Sequence, residues 1–109
     1  MIDWSRVTEL HEEVGDEALG EVLELFTSEV DEGLERLAQA TNPKAIAAEF
    51  HFLKGAALNL GLDDVAALCA RGETNALAGL PSEQERAAIT RKFPTCCARL
   101  CAEWRDRLG

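Results

Sequence analysis

Between Asp16 and Ala40 the apolar residues Leu19, Leu23, Phe26, Val30, Leu34 and Leu37 recur at steps of three and four, the period that lines side chains along one face of an α-helix. A stripe this long resembles the a and d seam of a heptad, and a helix that carries it must bury it against other helices. The rest of the chain supplies partners of the same kind. Only three prolines and eight glycines interrupt 109 residues, the intervening segments are rich in the strong helix formers Ala, Leu and Glu, and no segment alternates as a strand would.

Punctuation divides the chain into helices. Asn42 before Pro43 is a helix start, since Asn caps free N–H groups and proline suits the first helical position. That start predicts a helix from about Pro43 to Leu60, ended by Gly61 in a left-handed conformation. A further helix is predicted from about Asp63 to Leu77. After the Ala78 to Pro81 loop, Ser82 and Glu85 have capping-box spacing and open the last helix, whose stripe is Ile89, Phe93, Cys97, Leu100, Trp104 and Leu108. Pro94 is predicted to kink or briefly break it. A short amphipathic helix around Trp4 to Glu13 covers one end. The expected fold is all-α, one domain over residues 1–109: an antiparallel four-helix bundle with a short additional N-terminal helix. Gly33, beside the long stripe, is read as a site of close helix approach.

A chain this short closes one core, so a cleft between two lobes is not expected. Twenty acidic against eleven basic residues give a net charge of -9, which argues against a phosphate-backbone ligand and hence against nucleic acid. No signal segment and no membrane-spanning apolar run is read, so the expected location is cytoplasmic. In that reducing setting Cys69, Cys96, Cys97 and Cys101 are read as free thiols, with no C-x-x-C spacing and no nearby histidine to suggest a metal.

The informative residues lie on the helix from Pro43 to Leu60. Its stripe is Ile46, Phe50, Leu53, Ala57 and Leu60. At about 100° per residue, His51 falls roughly 140° from the stripe's centre, Gly55 about 180°, Leu58 about 120° and Lys54 about 80°. His51 therefore faces outward, with Lys54 and Gly55 beside it. A mid-helix glycine costs about 1 kcal/mol relative to alanine, and no turn requires Gly55. It suits a site where something must approach the backbone. Leu58, with Ala47 and Ala48, adds a smooth, partly apolar surface for another protein. An exposed neutral imidazole is a nucleophile, and a lysine three residues away can meet negative charge placed on it. There is no glycine-rich loop ending in Lys-Ser/Thr to cradle a nucleotide, so a phosphocarrier fits better than an enzyme with its own ATP site. His11, among Glu9, Glu12 and Glu13, is read as a solvated surface histidine, and the acidic runs as solvated faces.

The stretch from His51 through Lys54 and Gly55 to Gly61 resembles the signature of histidine-containing phosphotransfer (HPt) domains: His, then Lys and Gly three and four residues on, then a second Gly ten residues on. Ala48 to Phe50 and Cys69 to Glu73 resemble the family's flanks. The resemblance implies a two-component phosphorelay in which His51 accepts a phosphoryl group from the aspartate of a response-regulator receiver domain and passes it to another receiver. A hybrid histidine kinase is a further implied partner. Lys54 would stabilise phosphate charge, Gly55 would permit close approach, and Ala47, Ala48, Leu58 and Asn59 would form the docking surface. The Mg²⁺ is expected in the receiver, with no cofactor or metal on this chain, which is expected to be monomeric and to bind neither nucleic acid nor membrane. Nε2 is the implied phosphorylation atom. Many members have Ser after the Lys-Gly pair where this chain has Ala56 and Ala57, which bears on transfer rate and phospho-His lifetime. For Glu73 an approach to His51 from the next helix is weighed against a solvated surface residue, and the solvated reading is preferred. Two alternatives stay open: a phosphorylation-independent helical adaptor that binds or sequesters a receiver or kinase, and a metal- or redox-responsive bundle using Cys96, Cys97 and Cys101.

Overall fold

The computed structural model describes residues 2–108. They form five helices: α1 (Trp4–Val14), α2 (Asp16–Gln39), α3 (Pro43–Asn59), α4 (Asp63–Leu77) and α5 (Glu83–Leu108). Packing is cyclic among the last four, α2 against α3 and α5, α4 against α3 and α5, while α1 lies on α2 and α5. Loops of a few residues join consecutive neighbours, so these helices run antiparallel. The 45 Å long axis is close to the length of α5, at about 1.5 Å per residue.

The helix boundaries follow from caps. The Asn42 side chain accepts from the Ala45 amide (2.8 Å), and Asp3 does the same for Ser5 (3.0 Å) at the start of α1. The end of α3 is a Schellman motif: the Gly61 amide donates to Leu58 (3.2 Å) and that of Leu62 to Ala57 (2.8 Å). Gly61 has φ +74°, and a Cβ there would stand 2.6 Å from the Asp3 carbonyl, whose own amide donates to Gly61 (2.7 Å). The turn between α3 and α4 is thus fastened to the start of α1. Gly61 acts in structure, at the end of the bundle away from the α2–α3 loop.

The stripes expected to form the core do so, with Phe26, Ile46 and Leu108 only partly buried against it. Leu19, Leu23, Val30 and Leu37 of α2, Phe50 and Leu53 of α3, and Ile89, Phe93 and Leu100 of α5 are all buried. Two glycines set how closely helices meet α3. A Cβ on Gly33 would lie 2.9 Å from Leu53 Cδ2, and one on Gly72 only 2.4 Å from Phe50 Cζ.

Three expectations are corrected. α5 is not broken at Pro94 but runs helical through it: proline removes one ladder bond, and the buried Phe93 and Cys97 on either side anchor both halves in the core. Glu85 does not turn back on its own helix; its carboxylate accepts from Asn75 Nδ2 of α4 (3.3 Å). His11 is only partly solvated. Its ring is tilted against Trp104, with centroids 6.0 Å apart, and its Nε2 pairs with Asp16, because α1 packs over the end of α5.

Candidate functional site

α3 presents its outward crown as the periodicity implies. Ala48, His51, Gly55, Leu58 and Asn59 are exposed, and Phe52 and Leu58 lie at the surface and not in the core. The His51 side chain is 68% exposed. A Cβ on Gly55 would meet nothing within 4 Å, so no internal contact accounts for that glycine. Gly55→Ala is accordingly expected to stabilise the fold by about 0.5–1 kcal/mol through helix propensity while slowing transfer from a protein donor. Denaturant midpoints beside transfer rates check this.

Ala47 differs from the sequence reading. It is 4% exposed, on the shoulder of α3 turned toward α4, and contributes only to the floor of a depression beside His51. Ala56 and Ala57 are buried as well. Five residues of helix place Ala56 about 140° around from His51, so a hydroxyl there would not face the imidazole. The missing serine therefore does not weaken the immediate surroundings of His51.

The central residue of the site is Glu73, for which the sequence favoured the solvated reading over an approach to His51. Glu73 reaches across from α4 and is shared between two groups of α3: its Oε2 accepts from His51 Nδ1 (3.1 Å) and its Oε1 from Lys54 Nζ (2.8 Å). The contact depends on Gly72. With hydrogen in place of a side chain, Gly72 lets α4 settle on the Phe50 ring, one residue before His51, and the next residue along α4 is brought within reach. The signal was present as another mid-helix glycine without a turn, but its partner was not readable.

The electrostatics follow from this geometry. The hydrogen bond from the Lys54 ammonium holds the Glu73 carboxyl below its ordinary value, opposed by partial burial and reinforced by the charges of Lys54 and His51. Glu73 is therefore ionised and can only accept. An accepting carboxylate at Nδ1 requires the proton on Nδ1, so in the neutral ring the lone pair lies on Nε2, across the ring. Nε2 has no hydrogen-bond partner among the described residues. Lys54, read from sequence as a free cation awaiting phosphate, is in the resting protein committed to Glu73.

The same coupling sets a pH dependence. A carboxyl depressed in the folded state contributes stability above its ordinary value, and loses it as pH falls through the lower folded value. Glu73→Gln is expected to lose less stability than wild type on acidification from about pH 5 to pH 3, measured as urea midpoints across that window.

The cysteines form no comparable site. Burial pushes the Cys69 and Cys97 thiols up to about 12, so they stay protonated and unreactive at neutral pH. Among the described residues no three or more of His, Cys, Asp and Glu converge to hold a metal ion. No described helix is long and apolar enough to cross a membrane.

The chain matches the Hpt domain family over residues 21–108. It belongs to that family, whose members carry phosphoryl groups on histidine in phosphorelays, exchange them with receiver domains and kinases, and act as carriers, not enzymes. Neither a curated protein nor a solved structure matches it significantly.

Proposed function

We propose that His51 is the phosphoryl acceptor and donor of a two-component phosphorelay, receiving the group on Nε2 from the aspartyl phosphate of a receiver domain and passing it to the aspartate of another. The observation that carries this reading is the hydrogen bond from His51 Nδ1 to an ionised Glu73 on a ring that is otherwise exposed. In the neutral ring it selects the tautomer in which the outward nitrogen carries the lone pair and is the nucleophile.

In the step itself the Nε2 lone pair attacks phosphorus in line with the receiver's aspartyl oxygen. The Nε2–P bond forms, the P–O bond breaks, and its electron pair returns to the aspartate as carboxylate. The imidazole becomes cationic, with Nδ1–H still donated to Glu73, whose charge lies where the positive charge develops. Reversal with a second receiver moves the group onward. Mg²⁺ belongs to the receiver. Lys54 acts first by keeping Glu73 ionised and oriented, and its flexible stem leaves the ammonium near enough to meet the phosphoryl oxygens once they arrive. Gly55 and Ala48 leave the approach clear.

The test is a transfer profile of the protein against the receiver domains of its source organism, each phosphorylated beforehand and sampled at short times. The expected result is an acid-labile, alkali-stable phosphate on the protein from one or a few receivers. Receiver binding without movement of phosphate would select the adaptor reading instead.

A further inference from the structure

The imidazole of His51 is one wall of an open depression of about 320 Å³, floored by Ala47 and Ala48 and bounded by Lys44, Glu73 and Leu77. Leu77, on the last turn of α4, is 67% exposed, more than any other large apolar side chain among the described residues. Lys44 has no ion-pair partner among them, in a chain of net charge -9. Transfer requires phosphorus within about 3–3.5 Å of Nε2. A protein donor must therefore seat its body on the surface next to His51, and the two flanks of α3 differ in what they offer.

The flank toward α2 has its charges already paired. The Arg36 guanidinium lies 5.0 Å above the Phe52 ring, and its Nε donates to Glu49 (3.0 Å), so one face of a ring that is itself 39% exposed is shielded and both charges are satisfied. The flank toward α4 is open, with an uncovered leucine and a lysine whose charge is unanswered. A basic partner surface would be repelled there and an acidic one held.

We propose that the receiver docks asymmetrically, off α3 onto the last turn of α4, seating an apolar side chain in the depression against Leu77 and meeting Lys44 with a carboxylate. This rests on the phosphotransfer reading of His51. Leu77 and Lys44 are then determinants of partner choice that act in docking and take no part in the chemistry.

The experiment uses the receiver that transfers fastest in the profile above, with phosphoramidate as a small donor that needs no docking surface. Leu77→Ser is expected to lower the second-order transfer rate about tenfold, through a raised KM and not a lowered maximal rate. Lys44→Glu is expected to lower it similarly at low ionic strength, with the defect shrinking as salt is added. Labelling of His51 by phosphoramidate should match wild type in both variants. Leu25→Ser is the control: Leu25 is 62% exposed but lies about 12 Å along α2 from the level of Gly33 and Phe52, toward α1, and its rate should be unchanged. Wild-type second-order rates in Leu77→Ser and Lys44→Glu would overturn the proposal, as would an equal loss in Leu25→Ser. Failure of the underlying reading looks different: wild-type protein that takes no label on His51 from either donor.

Discussion

A His51→Gln variant is expected to take no phosphate from any receiver that labels the wild-type protein, the signal falling to background while the fold is kept. The ring is 68% exposed and meets Glu73 only through one hydrogen bond, so stability should stay within about 0.5 kcal/mol of wild type. The Lys54–Glu73 hydrogen bond (2.8 Å) does not involve the ring and is expected to persist in its absence. The second histidine cannot substitute. His11 is packed against Trp104 and has its Nε2 engaged by Asp16, so the atom that is unpartnered in His51 is occupied in His11. Phosphate accepted to the wild-type extent by His51→Gln, or found on His11, would contradict the assignment. Mass spectrometry of alkali-stable peptides beside a melting curve reads both outcomes.

Gly72→Ala is expected to be the most damaging small substitution outside the nucleophile. Its Cβ would lie 2.4 Å from Phe50 Cζ and 2.5 Å from Cε1, and the Phe50 ring, with no exposed surface, has nowhere to swing. Either the ring leaves its rotamer or α4 moves away from α3, an overpacking cost of about 1–3 kcal/mol, offset by about 1 kcal/mol of gained helix propensity. Lower denaturant midpoints are expected, together with slower labelling of His51, because Glu73 is carried off with the helix. Phe50→Leu placed in the Gly72→Ala background should recover part of both losses by vacating the space. A Gly72→Ala protein more stable than wild type, as propensity alone would give, would show that the close approach of α3 and α4 is not what orders the site.

Gly55 and Gly72 show how far the sequence could be read. Both are mid-helix glycines with no turn to explain them, and both imply that something comes close. For Gly55 the surrounding space is empty, and the approaching body is another molecule. For Gly72 it is Phe50 of the same chain. Periodicity distinguishes the faces of one helix, and it placed His51, Lys54, Leu58 and the stripes of α2, α3 and α5 correctly around their axes. It says nothing of the register between two helices. Glu73 meets His51 across 22 positions of chain, through packing that no local spacing encodes, and so it read as a solvated carboxylate. Leu77 was hidden for the same reason. The cap of α3 and the turn at Gly61 were legible because their chemistry is local. The continuity of α5 through Pro94 was not, since it is held by tertiary contacts that outweigh a single lost hydrogen bond.

The central claim is that Glu73 holds the proton on Nδ1 of His51 and so makes Nε2 the phosphoryl atom. Long-range proton–nitrogen NMR on protein labelled with ¹⁵N-histidine, recorded before and after phosphorylation, tests it most directly. The predicted result is a His51 whose Nδ1 carries the proton donated to Glu73 in the resting protein, and after transfer a phosphoryl group on Nε2 with the proton still on Nδ1. A resting ring protonated on Nε2, or a phosphoryl group found on Nδ1, would contradict it.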